Sequence, residues 1–361
     1  MFFRAKKILI FSRLTDKNYG DRIIGDCCKY LIEKTARRMH VKVQVSMANV
    51  LSNDQKKLQE KMDGNDVYVF PGGGMNSVRV NRKILQILDY IERQPGASVC
   101  FNAIGILRVN PSEKNEAILE NMFNRPQVKQ ITTRGDYEQL KKYITTKKSY
   151  ETQLVFDPAV WVNEAYQIER KPDSNIIGVG VIRPEKFEIQ GVPMNRQQVM
   201  DMYAGMIQEL EKRGYEWKLF TNGIDPDYEF GIELLDYLHR PGEVYLGENI
   251  ASPKELVTNI AGFKAVIAAR LHANIIATSL GIPSVGLVWN DKMNLFADII
   301  GCKERYISSP EYLLNASYMV DLMESAIVDG YDFKKIEDMK RKTIATIKNI
   351  VKVARKSGGR S

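Results

Sequence analysis

The feature that most constrains this chain is a repeated alternation of short apolar runs with segments of helical periodicity. Strands are expected at 8–11, 41–47, 66–70 and 98–103, with helices between them at about 21–36, 53–62 and 82–94. Shorter strands near 130–132 and 154–156 complete the set. Where a helix carries the chain back between successive strands, those strands pair in parallel, so the pattern predicts a mainly parallel sheet covered by helices on both faces.

The alternation lapses into the polar stretch 161–174 and then restarts. Strands are expected at 175–181, 217–221, 244–246, 265–268 and 284–288, with helices at 197–212, 228–238 and about 272–280. Another helix starts at Ser252-Pro253-Lys254-Glu255, where Ser can cap, Pro suits the first helical position and Glu can reach back. The reading is α/β: two Rossmann-like, doubly wound domains, 1–165 and 174–328, facing each other across a cleft. A length of 361 residues suits two such cores. Ligands of this architecture lie at the carboxyl edges of the sheets, but architecture does not name a reaction.

The last segment, 329–361, is expected to be an amphipathic basic helix. Ile336, Met339, Thr343, Ile347, Ile350 and Ala354 recur at three- and four-residue steps among Lys and Arg. That stripe predicts packing back on the first domain, with the basic face either solvated or laid on an anionic lipid surface. The final SGGRS holds no core-forming residue and is expected to fray.

Composition narrows the function classes. With 52 Lys+Arg against 44 Asp+Glu the formal charge is +8, compatible with anionic substrates, lipid or nucleic acid. Nucleic acid is disfavoured, because the basic excess gathers on a terminal helix without interleaved aromatics. No apolar run approaches the ~20 residues of a membrane span, and Lys and Arg interrupt any signal-peptide core at the N-terminus. A cytoplasmic protein is expected, its basic helix admitting peripheral contact with the inner face of the membrane. Cys27, Cys28, Cys100 and Cys302 form no C-x-x-C pair, so free thiols and no metal are expected.

Four clusters fall at expected carboxyl ends of strands. Asn18-Tyr19-Gly20-Asp21 follows the first strand; a turn with Asp21 as helix cap accounts for it as well as a binding role does. Pro71-Gly72-Gly73-Gly74 follows the strand 66–70. Its glycines leave N–H groups free for an anion or sugar, though the spacing is neither a Walker loop nor G-x-G-x-x-G, and a flexible turn is the alternative. Arg183 is a cation suited to carboxylate or phosphate, if it is not simply solvent-facing. The most informative cluster is Ala269-Arg270-Leu271-His272, running from a buried strand into a helix. Arg270 and His272 are expected to face the ligand, with Leu271 in the core. The helix dipole opposes protonation of His272 and an arriving anion favours it. Lys292, after the next strand, is a further cation.

These motifs resemble the polysaccharide pyruvyl transferase family. Asn18 to Asp21, Phe70 to Gly74, the segment Phe156-Asp157-Pro158-Ala159, Arg270 to Leu287 and Lys292 fall in that family's order. One segment departs from it: Arg134-Gly135-Asp136-Tyr137-Glu138 has Gly after Arg, and Glu where the family usually shows Ser. The resemblance implies transfer of a pyruvyl unit from phosphoenolpyruvate to two hydroxyls of a sugar in a surface polysaccharide or its precursor, forming a pyruvate ketal and releasing phosphate. It implies the two-domain architecture of one large glycosyltransferase class, no metal and no cofactor beyond the donor substrate. By position, Arg270 would bind the donor with Arg183 and Lys292, and His272 would be the catalytic acid/base. Asn18, Gly20 and Gly72 to Gly74 would form an acceptor- or anion-binding loop.

The chemistry of the residues fits this. Ketal formation needs a proton delivered to the donor's methylene carbon, which leaves a cation-like centre for a hydroxyl to attack. Imidazole suits that delivery and the removal of the hydroxyl proton. With three histidines in the chain, a second acid/base would be a carboxylate such as Asp21, or a lysine. The competing expectation is a nucleotide-sugar-dependent glycosyltransferase on the same scaffold; a non-catalytic binding protein fits the Arg270/His272 pair less well. Whether the acceptor is lipid-linked, nucleotide-linked or polymeric is left open.

Overall fold

The computed structural model describes residues 4–15, 17–108, 112–146, 151–171 and 173–357. They form two compact units: Met1–Asp16 with Asp21–Pro158 and Glu337–Ser361, and Lys17–Gly20 with Ala159–Ile336. The chain thus changes unit after Pro158, just ahead of the polar stretch, and 329–336, which include the first turn of the terminal helix, group with the second unit. Residues 358–361, where fraying is expected, lie outside the described residues.

The first unit holds a parallel six-stranded sheet: β1 (Lys6–Ser12), β2 (Val43–Asn49), β3 (Val67–Phe70), β4 (Ser98–Ile104), β5 (Val128–Thr133) and β6 (Glu151–Leu154), in the order β2-β1-β3-β4-β5-β6. All four residues of β3 and all seven of β4 are buried, as central strands with helices on both faces require. Phe11, Phe70 and Phe101 form a ladder across β1, β3 and β4, with successive ring centroids 4.9 Å apart. The chain runs from β1 outward to β2 and returns on the other side as β3. The reversal between β1 and β3 opens a crevice at their carboxyl ends.

Helix Phe333–Lys356 joins this unit from Glu337 onward. Thr343 accepts a hydrogen bond from the Phe156 N–H at 2.8 Å, Asn349 donates to Gln130 at 3.0 Å, and the hydroxyls of Ser357 and Ser98 meet at 3.0 Å. All six stripe residues are buried. The apolar stripe is therefore covered by protein, while the Lys/Arg flank faces solvent together with Phe333, Glu337 and Ala345.

The second unit holds β7 (Ile176–Gly180), β8 (Glu216–Phe220), β9 (Ala265–Ala268), β10 (Ser284–Leu287) and β11 (Tyr306–Ile307), parallel, in the order β11-β10-β9-β7-β8. Here the reversal lies between β7 and β9, so the loops following those two strands bound the crevice.

Several local expectations are corrected. Residues 244–246 are not a strand: Gly242–Tyr245 is one helical turn, Val244 is 52% exposed, and Tyr245 stacks on Trp217 with ring centroids 4.2 Å apart. A buried strand needs both faces covered, and Val244 is left half exposed. β6 ends at Leu154, so Phe156 lies beyond the strand. Asp21 is not a cap, because the helix Tyr19–Arg38 starts two residues before it. Leu271 is half-buried and His272 is 6% exposed, the reverse of the expected pair. Both sit in the first turn of a helix, where successive side chains diverge by about 100°.

Candidate active site

In the second unit the charged residues gather at the reversal between β7 and β9. Arg183 follows β7, and Arg270 follows β9 as the N-cap of the helix Leu271–Ser279. Between them lies Asp227, in the first turn of the helix Asp225–Tyr237 that follows β8. Its side chain is wholly buried. One carboxylate oxygen, Oδ1, accepts from the Arg183 backbone N–H at 3.3 Å and from Nη1 at 2.8 Å. The other, Oδ2, accepts from Arg270 Nε at 2.9 Å and from Arg270 Nη2. One buried anion thus holds two guanidinium groups, and each keeps N–H groups that Asp227 does not use.

Two further groups shape this cluster. The Arg270 guanidinium lies over the Trp289 ring, 5.9 Å from its centroid, and the indole N–H donates to Ala269 O at 2.6 Å. Lys186, half-buried in the short helix Glu185–Ile189, has its pKa lowered by burial and then by the positive charges of Arg183 and Arg270, against the opposing pull of Asp227. The sequence reading missed both Asp227 and Lys186. Lys186 was the more legible of the two, three positions past an Arg already singled out.

His272 is covered by the segment Lys17–Gly20. Lys17 pairs with Asp225 at 2.6 Å, the Tyr19 N–H donates to Asn222 O at 3.1 Å, and the Tyr19 hydroxyl donates to Ala251 O at 2.8 Å. These bonds set Gly20 on the imidazole: a Cβ at Gly20 would lie 2.5 Å from Cβ, Cγ and Nδ1 of His272. Gly223 makes the close approach of Tyr19 possible, with φ +96° and its own virtual Cβ 2.4 Å from the phenol ring. The Asn18-Tyr19-Gly20 motif is therefore a strap over the histidine. Asn222, also missed, is buried with neither side-chain amide atom hydrogen-bonded among the described residues, an arrangement that favours a polar guest. Lys292 makes no hydrogen bond or ion pair with Asp227 among the described residues. It is the second residue of the helix Asp291–Ile300, its N–H donating to the Asn290 side chain at 3.1 Å.

The first unit carries the other predicted residues at its own reversal. Asp21 pairs with Arg13 at 3.1 Å, and both line a pocket with Gly72, Gly73 and Gly74. Gly72 and Gly73 have φ of +141° and +91°, which only glycine adopts without strain. Gly73 O accepts from Gly105 N at 2.8 Å, while Asn81 and Asn115 both donate to Met75 O. The loop is thus held at its far end, and among the described residues no acceptor is bonded to the N–H groups of Gly72, Gly73 or Gly74. Close by, Arg134 forms a buried ion pair with Asp157. Burial pulls the guanidinium pKa down to about 10, opposed by the negative charge of Asp21. The Phe156-Asp157-Pro158-Ala159 motif therefore serves Arg134. The glycine after that arginine is obligatory, since a Cβ on Gly135 would fall 2.0 Å from Ile106 O.

Among the described residues no group of three His, Cys, Asp or Glu side chains could hold a metal ion, and no helix is long and apolar enough to cross a membrane.

Two parallel doubly wound sheets, one in each unit and each with a reversal of strand order, define a two-unit α/β fold. The fold is similar to that of a Listeria monocytogenes protein assigned as a UDP-N-acetylglucosamine 2-epimerase, at TM-score 0.55 and 11% identity over 91% of this chain and 92% of that one. Staphylococcus aureus MnaA, in a co-structure with UDP, matches at TM-score 0.54 and 8% identity over 91% and 92%. The UDP-GlcNAc 2-epimerase of Methanocaldococcus jannaschii matches at 0.52 and 12% over 89% and 92%. No curated protein matches the sequence. The family model for polysaccharide pyruvyl transferase matches residues 6–291. The chain belongs to the polysaccharide pyruvyl transferase family.

Proposed function

We propose that this transferase moves a pyruvyl group from phosphoenolpyruvate to two hydroxyls of a sugar in a surface polysaccharide or its precursor, releasing phosphate and closing a pyruvate ketal. The observation that carries the reading is the pair of guanidinium groups held by Asp227 at the β7/β9 reversal, one of them on the residue that precedes the helix whose first turn bears His272. A small donor with a carboxylate and a phosphate needs several cations around one proton donor, and this cluster supplies them.

In this reading Arg183 and Arg270 bind the donor. His272 gives a proton to its methylene carbon, the central carbon becomes cation-like, and a sugar hydroxyl attacks it. The hydroxyl proton passes to a base; phosphate then leaves with the C–O bonding pair, and the second hydroxyl attacks the same carbon and gives up its proton to a base, closing the ketal. Lys292 supports the donor's charge, while Asp21 and the Gly72–Gly74 loop serve the acceptor. No metal or further cofactor takes part. The setting is cytoplasmic. Contact with an anionic membrane through the terminal helix would be electrostatic, because its apolar stripe is already covered.

Incubation with phosphoenolpyruvate and a panel of sugar acceptors tests this, following phosphate release together with the mass gain of a ketal. Turnover of a nucleotide-sugar with none of phosphoenolpyruvate would instead favour the glycosyltransferase alternative.

A further inference from the structure

Among the described residues Asp227 alone is bonded to both arginines, and the way it divides its oxygens is informative. Oδ1 serves only Arg183 and Oδ2 only Arg270. The two side chains are 23% and 11% exposed, and the carboxylate between them is fully buried. A carboxylate is rigid and planar, so this arrangement sets a fixed separation between two guanidinium groups. It also stops them from spreading apart under mutual repulsion. They follow separate strands of the sheet, and among the described residues neither guanidinium makes a further hydrogen bond, although Arg270 also lies over the Trp289 ring.

Lys186 adds the third positive charge. Its backbone N–H donates to Arg183 O at 3.2 Å, which fixes its helix to the same loop, and its amine makes no hydrogen bond or ion pair among the described residues. Three cations surround Asp227, and the other carboxylate acting on Lys186, that of Glu185, is itself paired with Arg196, so the cluster carries a net positive charge. An unfilled site of that kind repels itself, and a ligand with two anionic groups relieves the repulsion more fully than a ligand with one.

We propose that Asp227 is the positioning residue of this anion site and Lys186 its third cation, so that the site selects a small ligand bearing both a carboxylate and a phosphate over one bearing phosphate alone. The proposal rests on the donor assignment above and deepens it. Asp227 acts through the arginines and touches no substrate.

The test is equilibrium binding of phosphoenolpyruvate and of inorganic phosphate, measured by titration calorimetry on the full chain without acceptor. The wild type is expected to prefer phosphoenolpyruvate. Asp227→Asn raises the local charge by one, so a purely electrostatic role predicts tighter binding of both anions. The positioning role predicts phosphoenolpyruvate affinity at least tenfold weaker, inorganic phosphate affinity unchanged or tighter, and a stoichiometry that stays at one. A merely structural role would lower the bound fraction and leave the preference intact. Asp227→Glu keeps the charge and displaces it by a methylene, so it decides the matter if the Asn variant does not fold, and it should show the same loss of preference. Lys186→Met removes the third cation without touching the Asp227 bonds, and should weaken phosphoenolpyruvate more than phosphate. A preference retained in the folded Asp227 variant, or in Lys186→Met, overturns the inference while leaving the donor assignment standing. A wild type that does not bind phosphoenolpyruvate overturns both.

Discussion

The α-carbon of Gly20 rests on the side chain of His272, so closely that a methyl group there would lie 2.5 Å from three of its atoms. The contact includes Cβ, at the root of the side chain, as well as the ring atoms Cγ and Nδ1. The histidine cannot escape by swinging the far end of a flexible chain. Gly20→Ala is expected to move either His272 or the strap Lys17–Gly20. A displacement of about 1 Å at a reacting group can cost ~10²-fold in rate. Turnover should fall on that order while the melting temperature changes little, and a fully active Gly20→Ala protein would show that the position of His272 does not matter.

His272 itself is the sharpest site for substitution. If it carries the proton, His272→Asn should keep the fold and donor binding but lower turnover by about 10²–10⁴, the usual worth of general acid–base help. A histidine serving only structure would lower stability by about 1–3 kcal/mol, with activity falling only in step with the folded fraction. Melting temperature and turnover measured on one preparation separate the two.

Arg270→Ala has a double consequence, because Arg270 is both a donor-binding candidate and half of the compensation for buried Asp227. The apparent donor requirement should rise at least tenfold. Stability should also fall, by about 3–5 kcal/mol if the remaining Arg183 cannot compensate the carboxylate. Denaturant unfolding reads the second effect, and donor titration of the folded protein reads the first. Unchanged donor dependence would remove Arg270 from the binding role.

Lys186 sets stability against function, and its pH dependence has a definite sign. Its pKa in the folded protein lies below the ordinary lysine value of 10.5, so between those two values the unfolded chain binds more protons. Stability therefore rises with pH across that window and is lost as pH falls through the lowered value. Below it, the charged amine opposes folding. Lys186→Met should accordingly raise the melting temperature at neutral pH, and inorganic phosphate should raise it less than in wild type. A variant that melts lower, with phosphate protection intact, would contradict this.

Much of the site could be read in the sequence because its signals are local. Glycine runs mark backbone conformations that other residues avoid, as the φ values of Gly72 and Gly73 bear out. A polar Arg-x-His directly after a buried apolar strand marks a carboxyl edge. Two weak points were also local: the apolar triplet at 244–246 looked like a strand, although its valine is half exposed, and Asp21 looked like a cap although the helix begins before it.

By itself the sequence determined the two parallel α/β sheets, the strand ends that carry Arg183, Arg270 and His272, and the apolar stripe of the terminal helix. Each of these follows from periodicities and turn chemistry that span a few residues. Only the tertiary structure decided that Asp227 joins Arg183 to Arg270, that Asp157 pairs with Arg134, and that Gly20 lies on His272. These partners are far apart in the chain and meet because strand order places their loops side by side. Whether a charge is buried, and what compensates it, depends on the removal of water by surfaces that no local pattern encodes.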